Sequence, residues 1–360
     1  MAPTIEDTRM SDSQPLNGPG RSFKIVDIAR EAGVSTATVD RVLNHRGGVR
    51  QPKRDLVLEV ARRLNYPLPP HLVSVPGLKH LELDFLLPSG PNTFMNMLGD
   101  TVETVEERFE GFVASAHRHE IEGFNPAVLA ESLLRIGGQS QGIAFIALEH
   151  PLVREAVDTL IERKVPVVTM VSDLSNSRRL GYVGVDNRAA GRTAGHLLGR
   201  FIGQRHGQVA MIAGSLSYRG HEERELGFRQ MLGEDFPSLR IVALREGHDD
   251  PARNYAAVRD LLQQYPDLLG FYNIGAGSRG VAKALEEAGK AKDVVFVGHE
   301  LTHFTRRFLI SGAMDAVINQ NARHEVINCL RMLANCHAGI DPATKIEPTR
   351  IEVFLRENLP

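Results

Sequence analysis

The chain has 360 residues, with 42 Lys and Arg against 44 Asp and Glu, two cysteines and no tryptophan. That length holds two or three domains with cores of their own, and a net charge of −2 points, taken whole, to no particular partner. No run of about 18 apolar residues occurs, which excludes a membrane-spanning helix, and the N-terminus lacks the charged-then-apolar pattern of a secretion signal.

Residues 1–21 are polar and rich in Pro, Gly and Ser, the composition of a disordered tail. From Arg21 to Tyr66 the chain carries ten Lys and Arg against five Asp and Glu, so a basic module precedes an acidic body. Within the module Ile25, Ile28 and Ala29 take the spacing of a short amphipathic helix, with Asp27 in its first turn. Gly33 ends that helix with a positive φ, and Ser35 caps the next. Val34, Val39 and Val42 pack back on the first helix, leaving Thr36, Ala37, Thr38, Asp40, Arg41 and Asn44 outward. A third helix, about 51–64, buries Leu56, Val57, Val60, Ala61 and Leu64. Such a three-helix unit presents its second helix to the major groove of DNA.

The stretch IVDIAREAGVSTATVDRVLN, with a third helix ending in ARRLNYPL, resembles the head of the lactose-repressor (LacI/GalR) family of bacterial transcription regulators. The resemblance makes Thr36, Ala37 and Arg41 the base-reading positions. Arg41 suits a guanine, and Ala37 a thymine methyl or steric selection. Ser35, Thr38, Asn44, Arg46, Arg50 and Lys53 become phosphate or backbone contacts. Asp40 stands where the family usually has Ser, which shifts the expected operator. Behind the head, residues 68–80 form a linker. Pro67, Pro69, Pro70 and Pro76 leave few residues for the family's hinge helix, and Leu72 is the candidate minor-groove wedge.

From residue 81 on, β-rich runs alternate with amphipathic helices. The runs are LELDFLLP, GIAFIAL, VPVVTMVS, LGYVGVD, GQVAMIAG, LRIVALREG, LLGFYNIG, DVVFVGHE and DAVINQN. Helices are expected at 93–117, 152–164, 188–203, 220–234, 251–264, 278–288 and 321–336. The alternation predicts an α/β body with two parallel sheets and helices on both faces. Cys329 and Cys336 fall about two helical turns apart, too far for an unstrained disulfide, and lack partners at zinc-ligand spacing. They fit a reduced, cytoplasmic setting.

The body resembles the same family's effector domain, a two-lobed, type I periplasmic-binding-protein-like fold, through VGVDNRAAGRTAGHLL, ERELGFR, FYNIGAGSRGVAKAL, VFVGHEL and AVINQN. On that basis the head spans 22–67 and the effector domain 81–345, with 346–360 as a C-terminal segment. Chain crossings near 185, 300 and 316 assign about 81–185 and 300–316 to lobe 1, and 186–299 and 317–345 to lobe 2. GAGSRG at 275–280 also fits a G-x-G-x-x-G dinucleotide fingerprint, with Glu300 about twenty residues on. That leaves an NAD(P)-dependent oxidoreductase as the alternative. A periplasmic binding protein is a third possibility, against which the DNA head and the missing signal speak.

Ligand contacts are expected at strand ends. By resemblance they are Asn92, Phe94, Asp173, Asn273, Glu300 and Gln320, together with Glu222, which stands where sugar-binding relatives carry Arg, and the nearby Arg224. Carboxylates and amides suit vicinal hydroxyls, and a ring suits an apolar sugar face, with Tyr218, Phe271 and Tyr272 as further rings. Glu300 in place of the usual Asp, with His221, His248, Asp249 and His299 nearby, makes the site acidic for a plain aldose and admits a polyol or aminated sugar. No cofactor and no metal motif is expected. The resemblance implies a cytoplasmic homodimer, a repressor that binds a near-palindromic operator and is switched by a small polar effector.

Overall fold

A computed structural model describes residues 24–43, 49, 51–64, 66, 79–109 and 112–360, and the chain divides near residue 77 into two compact units. The tail 1–21, Asn44, Arg46, Arg50 and linker residues 68–78 with Leu72 lie outside the described residues, while Lys79 and His80, expected in the linker, begin the first strand.

The first unit is three helices, α1 (Ile25–Glu31), α2 (Thr36–Leu43) and α3 (Gln51–Arg63). Asp27 reaches back to accept from the Lys24 N–H (2.9 Å), satisfying a donor at the start of α1. Gly33 takes φ +63° in the turn. Ser35 Oγ accepts from Thr38 N (3.2 Å), a cap worth about 1 kcal/mol. Ile28, Val39, Val42, Leu43, Val57, Val60 and Ala61 form the core, with Leu64 half-buried at its edge. Leu56, expected inside, is exposed. The stripe on α3 is 57, 60, 61, 64, and position 56 falls off its side. Arg63 pairs with Glu31 (2.6 Å) and ties α3 to α1.

The second unit holds two six-stranded sheets. The first runs β2-β3-β1-β4-β5-β6, with β1 (Lys79–Ser89), β2 (Glu106–Phe109), β3 (Phe112–Glu122), β4 (Ile143–Phe145), β5 (Val167–Met170) and β6 (Gly181–Val183). The second runs β12-β11-β10-β9-β7-β8, with β7 (Gly207–Ala213), β8 (Leu239–Glu246), β9 (Leu268–Asn273), β10 (Val295–His299), β11 (Ala316–Asn319) and β12 (Glu352–Phe354). Each sheet is parallel apart from an antiparallel edge strand, β2 in one and β12 in the other. Both faces of the second sheet are buried, as its alternation shows. Val209, Met211 and Ala213 of β7 enter one core, while Ala210 and Ile212 enter the other. The helices α7 (Asn187–Ile202) and α8 (Arg219–Asp235) supply the first of those cores. The second is supplied by α9 (Pro251–Gln264), α10 (Ser278–Glu287) and α11 (His303–Ser311).

Two expectations need correction. The helix expected over 93–117 is α4 (Thr93–Thr104) followed by β2 and β3. β3 pairs with β1 in unbroken parallel register from Lys79↔Phe112 to Ser89↔Glu122. Its fully buried positions are only Phe112, Ala114 and Ile121, and His117, Arg118, His119 and Glu120 interrupt any apolar run. The helices α5 (Pro126–Gly137) and α6 (Pro151–Glu162) then cover this lobe.

The lobe crossings also differ. β11 lies parallel beside β10 (Val297↔Ala316), and parallel neighbours need a crossover, which α11 provides. Residues 300–316 therefore stay in the second lobe. The chain crosses instead near 186, again near 320, and a third time between 338 and 352. α12 (Ala322–Ala338) packs Val326, Cys329, Leu330 and Leu333 into the first lobe's core. The C-terminal segment returns as β12 to the second sheet.

Candidate functional site

The carboxyl ends of both sheets face a shared cleft containing two adjoining cavities. Pro91 and Asn92 line both. The loop after β1 delivers Asn92 as the N-cap of α4, its Oδ1 accepting from the N–H groups of Phe94 and Met95 (3.0 and 3.3 Å). Its amide is thereby aimed outward and donates to Asp249 Oδ2 on the other lobe (3.0 Å).

Phe124, Val171, Tyr218, His221, Arg224, His248 and Asp249 line the first cavity. The rings meet edge to face, Phe124 with Tyr218 (centroids 5.4 Å) and with His248 (5.1 Å). The second cavity is lined by Phe94, Ser278, Arg279, His299, Glu300 and Phe304, with the Arg279 guanidinium 4.8 Å over the Phe304 ring. Phe124, Val171, His248, Asp249 and Glu300 all have positive φ. Left-handed backbone at non-glycine residues costs about 1–3 kcal/mol each, so the fold holds these loops against strain where they enter the cleft.

Beneath the cleft lies a buried polar cluster. Arg224 donates through Nε to Asn187 Oδ1 (2.7 Å) and through Nη1 to the Ile274 carbonyl (3.1 Å), and its Nη2 lies 4.0 Å from Glu300 Oε1. Glu300 accepts from Gln320 Nε2 (2.8 Å) and Gln320 N (3.3 Å). Burial pushes its carboxyl up to about 7, while Arg224 and Gln320 pull it down. His299 bonds to the Tyr272 hydroxyl (2.7 Å), and burial, with Arg224 beside it, holds it well below its ordinary value. The imidazole is therefore neutral. Glu325 of α12 is fully buried with neither carboxyl oxygen hydrogen-bonded, so burial and the nearby Glu300 carboxyl push it well up.

Of the residues expected in the cleft, Asn92, Phe94, Arg224 and Glu300 line the cavities. Asp173 does not. Its carboxylate is taken by Arg179 (2.5 Å) and Thr169 (2.6 Å), which makes it a loop anchor. Glu222 also lies outside both cavities, exposed on the first turn of α8, while Arg224, two residues on, turns inward. Asn273 is buried behind the cavity wall and donates to Gly275 O, Ala276 O and Ser278 Oγ, holding the turn into α10. Gln320 is buried and reaches the cleft only through Glu300. Phe124 was not anticipated, although a lone ring between Gly123 and the Asn125-Pro126 helix start is a signal in hindsight. Phe271 and Tyr272 lie inside the sheet cores.

The GAGSRG glycines have packing reasons. A Cβ on Gly280 would stand 1.9 Å from the Pro251 carbonyl, and one on Gly275 would stand 2.4 Å from Asp249 Oδ1. These glycines serve helix and loop packing, and nothing supports the oxidoreductase alternative.

In the first unit Ser35, Thr36, Ala37, Arg41 and Lys53 are exposed and Thr38 is half-buried. The outward face of α2 therefore carries hydroxyls, a methyl and a guanidinium over an apolar underside.

A family model described as bacterial regulatory proteins, lacI family, matches residues 24–67, and a periplasmic binding protein domain matches 84–339. A catabolite control protein A from Priestia megaterium is 26% identical, the match covering 84% of this chain and 81% of that protein. A ribose operon repressor from Halalkalibacterium halodurans is 27% identical over 77% of this chain and 80% of its own length. Among solved structures, a glucose-galactose binding protein from Geobacillus stearothermophilus superposes with a TM-score of 0.71 at 23% identity, covering 78% of this chain and 99% of that one. The three-helix head, with an exposed outer face on its second helix, is similar to the lacI family of bacterial regulatory proteins, and with a two-lobed body closed over a polar cleft this chain belongs to the periplasmic binding protein domain family.

Proposed function

We propose that the protein is a cytoplasmic repressor, not an enzyme, that holds a near-palindromic operator as a homodimer and responds to a sugar or polyol in the cleft. In this reading α2 enters the major groove. Thr36, Ala37 and Arg41 meet base edges, and Ser35, Thr38 and Lys53 meet phosphates. Asn44, Arg46 and Arg50 serve as further phosphate or backbone contacts, and Leu72 of the linker as the minor-groove wedge. Asn92, Phe94, Arg224 and Glu300, with Asp249 and Tyr218, hold the effector.

The observation that carries the proposal is the cleft wall, built from both lobes with Asn92 bonded across it to Asp249. A ligand there touches both lobes at once, so it has the means to favour one closure over another and to couple reciprocally to DNA affinity. The ribose operon repressor named above supports the choice of a sugar. Fluorescence anisotropy with a fragment of the protein's own promoter region tests the proposal. Salt-sensitive, sequence-selective binding weakened by one of a panel of sugars and polyols is expected. Absence of selectivity under every condition would refute it. Sedimentation velocity tests the dimer.

A further inference from the structure

Asp249 is a carboxylate whose surroundings leave it uncompensated. It is 8% exposed, and its oxygens accept from two neutral donors, Ala276 N (2.8 Å) and Asn92 Nδ2 (3.0 Å). The cations of this region are committed elsewhere: Arg224 faces Glu300 (4.0 Å) and Arg219 pairs with Glu223 (2.7 Å). Burial holds the neighbouring His221 below its ordinary value, against the pull of Asp249 itself.

The backbone is arranged to present this charge. His248 and Asp249 are consecutive left-handed residues, at φ 51° and 58°. They are pinned by Gly247 N to Ala213 O (2.8 Å) and His248 N to Gly214 O (2.9 Å). Around the same cavity stand the Phe124, Tyr218 and His248 rings. An anion in a cavity lined by aromatic rings is the chemistry that recognises an ammonium group, because ring quadrupole and carboxylate attract the same charge. A neutral hydroxyl would bond to Asp249 and leave its charge in place, and an anionic ligand would be repelled.

We propose that the effector is an amino sugar, its ammonium seated on Asp249 between Phe124, Tyr218 and His248, and its hydroxyls extending past Asn92 toward Glu300. This rests on the sugar-effector proposal above and narrows it. The test is isothermal titration of the full chain, below the amine pKa, with glucosamine, galactosamine and mannosamine. Each is measured beside its parent hexose and its N-acetyl derivative. At least one amine is expected to bind about tenfold or more tighter than both neutral partners, a difference of ~1.4 kcal/mol. Asp249→Asn, which tolerates the left-handed backbone at least as well as Asp, is expected to abolish that preference. Neutral sugars binding as tightly as the amines, or a preference that survives Asp249→Asn, would overturn the proposal and leave a sugar effector standing. Failure of every sugar to bind would overturn both.

Discussion

Glu300→Gln should change how stability depends on pH, and the direction follows from the burial of this carboxyl. Burial raises it from an ordinary 4.5 to about 7. Between those values the folded protein keeps a proton that the unfolded chain has released. The wild type therefore loses stability as pH rises from about 4.5 to about 7, then levels off. At ~1.4 kcal/mol per tenfold change in proton affinity, the whole excursion is about 3 kcal/mol. Glu300→Gln keeps an oxygen for the Gln320 amides and has no proton to lose. The attraction of Arg224 for the ionised form of Glu300 is already contained in that net shift. His221 and His299 act in the opposite sense, because burial holds both below 6.5 and their contribution grows as pH rises toward that value. They are common to both proteins and cancel in the difference. Urea denaturation of both proteins from about pH 5 to about pH 8 measures it. The variant should gain roughly 2–3 kcal/mol on the wild type across that range. A difference constant to about 0.5 kcal/mol, or one of opposite sign, would show that Glu300 does not hold its proton in the folded state.

Arg41→Ala should weaken binding to the operator by about 1–3 kcal/mol while barely changing affinity for random DNA. Equal losses on both, measured by anisotropy, would place Arg41 on phosphate. Gly280→Ala puts a methyl 1.9 Å from the Pro251 carbonyl, so α9 and α10 must part. An overpacking loss of about 1–3 kcal/mol, seen as a lower melting temperature, is expected, and an unchanged melt would mean that this helix contact yields freely. Asp173→Ala removes the partner of Arg179 and Thr169. It should cost about 1–3 kcal/mol in chemical denaturation and leave ligand affinity within about threefold. Lost ligand affinity at full stability would return Asp173 to the cleft.

Elements with strong local signals were legible in the sequence. The head was readable because α1, its turn and the start of α2 depend on local chemistry: the Asp27 contact, the positive φ of Gly33 and the Ser35 cap. The central strands were readable because both of their faces are buried, which leaves nearly continuous apolar runs such as VVTM and the VVFV that contains Phe296. β3 was not, because much of its length is polar and its strand character comes from eleven registered pairs with β1. The place of α11 was also hidden, since it follows from which strands are neighbours. In the cleft, residue type and strand-end position identified Asn92 and Glu300. They could not separate Asp173 from Asp249, two carboxylates in loops after strands. What separates them is the partner each finds, Arg179 within six residues for one and only neutral donors for the other.

The same contrast bears on how the cleft works. Several direct contacts join the lobes: Asn92 to Asp249, Gly220 N to Ser172 Oγ (3.2 Å), Arg219 to Ser175 Oγ (2.8 Å), and Phe124 against Tyr218. The serine contacts lie beside the first crossing and can persist while the far edge opens. The Asn92–Asp249 bond lies where the two cavities meet, so a ligand that engages either group exchanges its own bond for that one. Only the surplus over the replaced bond, typically 0.5–1.5 kcal/mol for a neutral pair and more when one partner is charged, shifts the balance between open and closed lobes. A neutral ligand returns little surplus there. A cationic group gains the full difference between an amide and an ammonium facing the same carboxylate. The chemistry that narrows the choice of ligand is thus also what would let it drive closure.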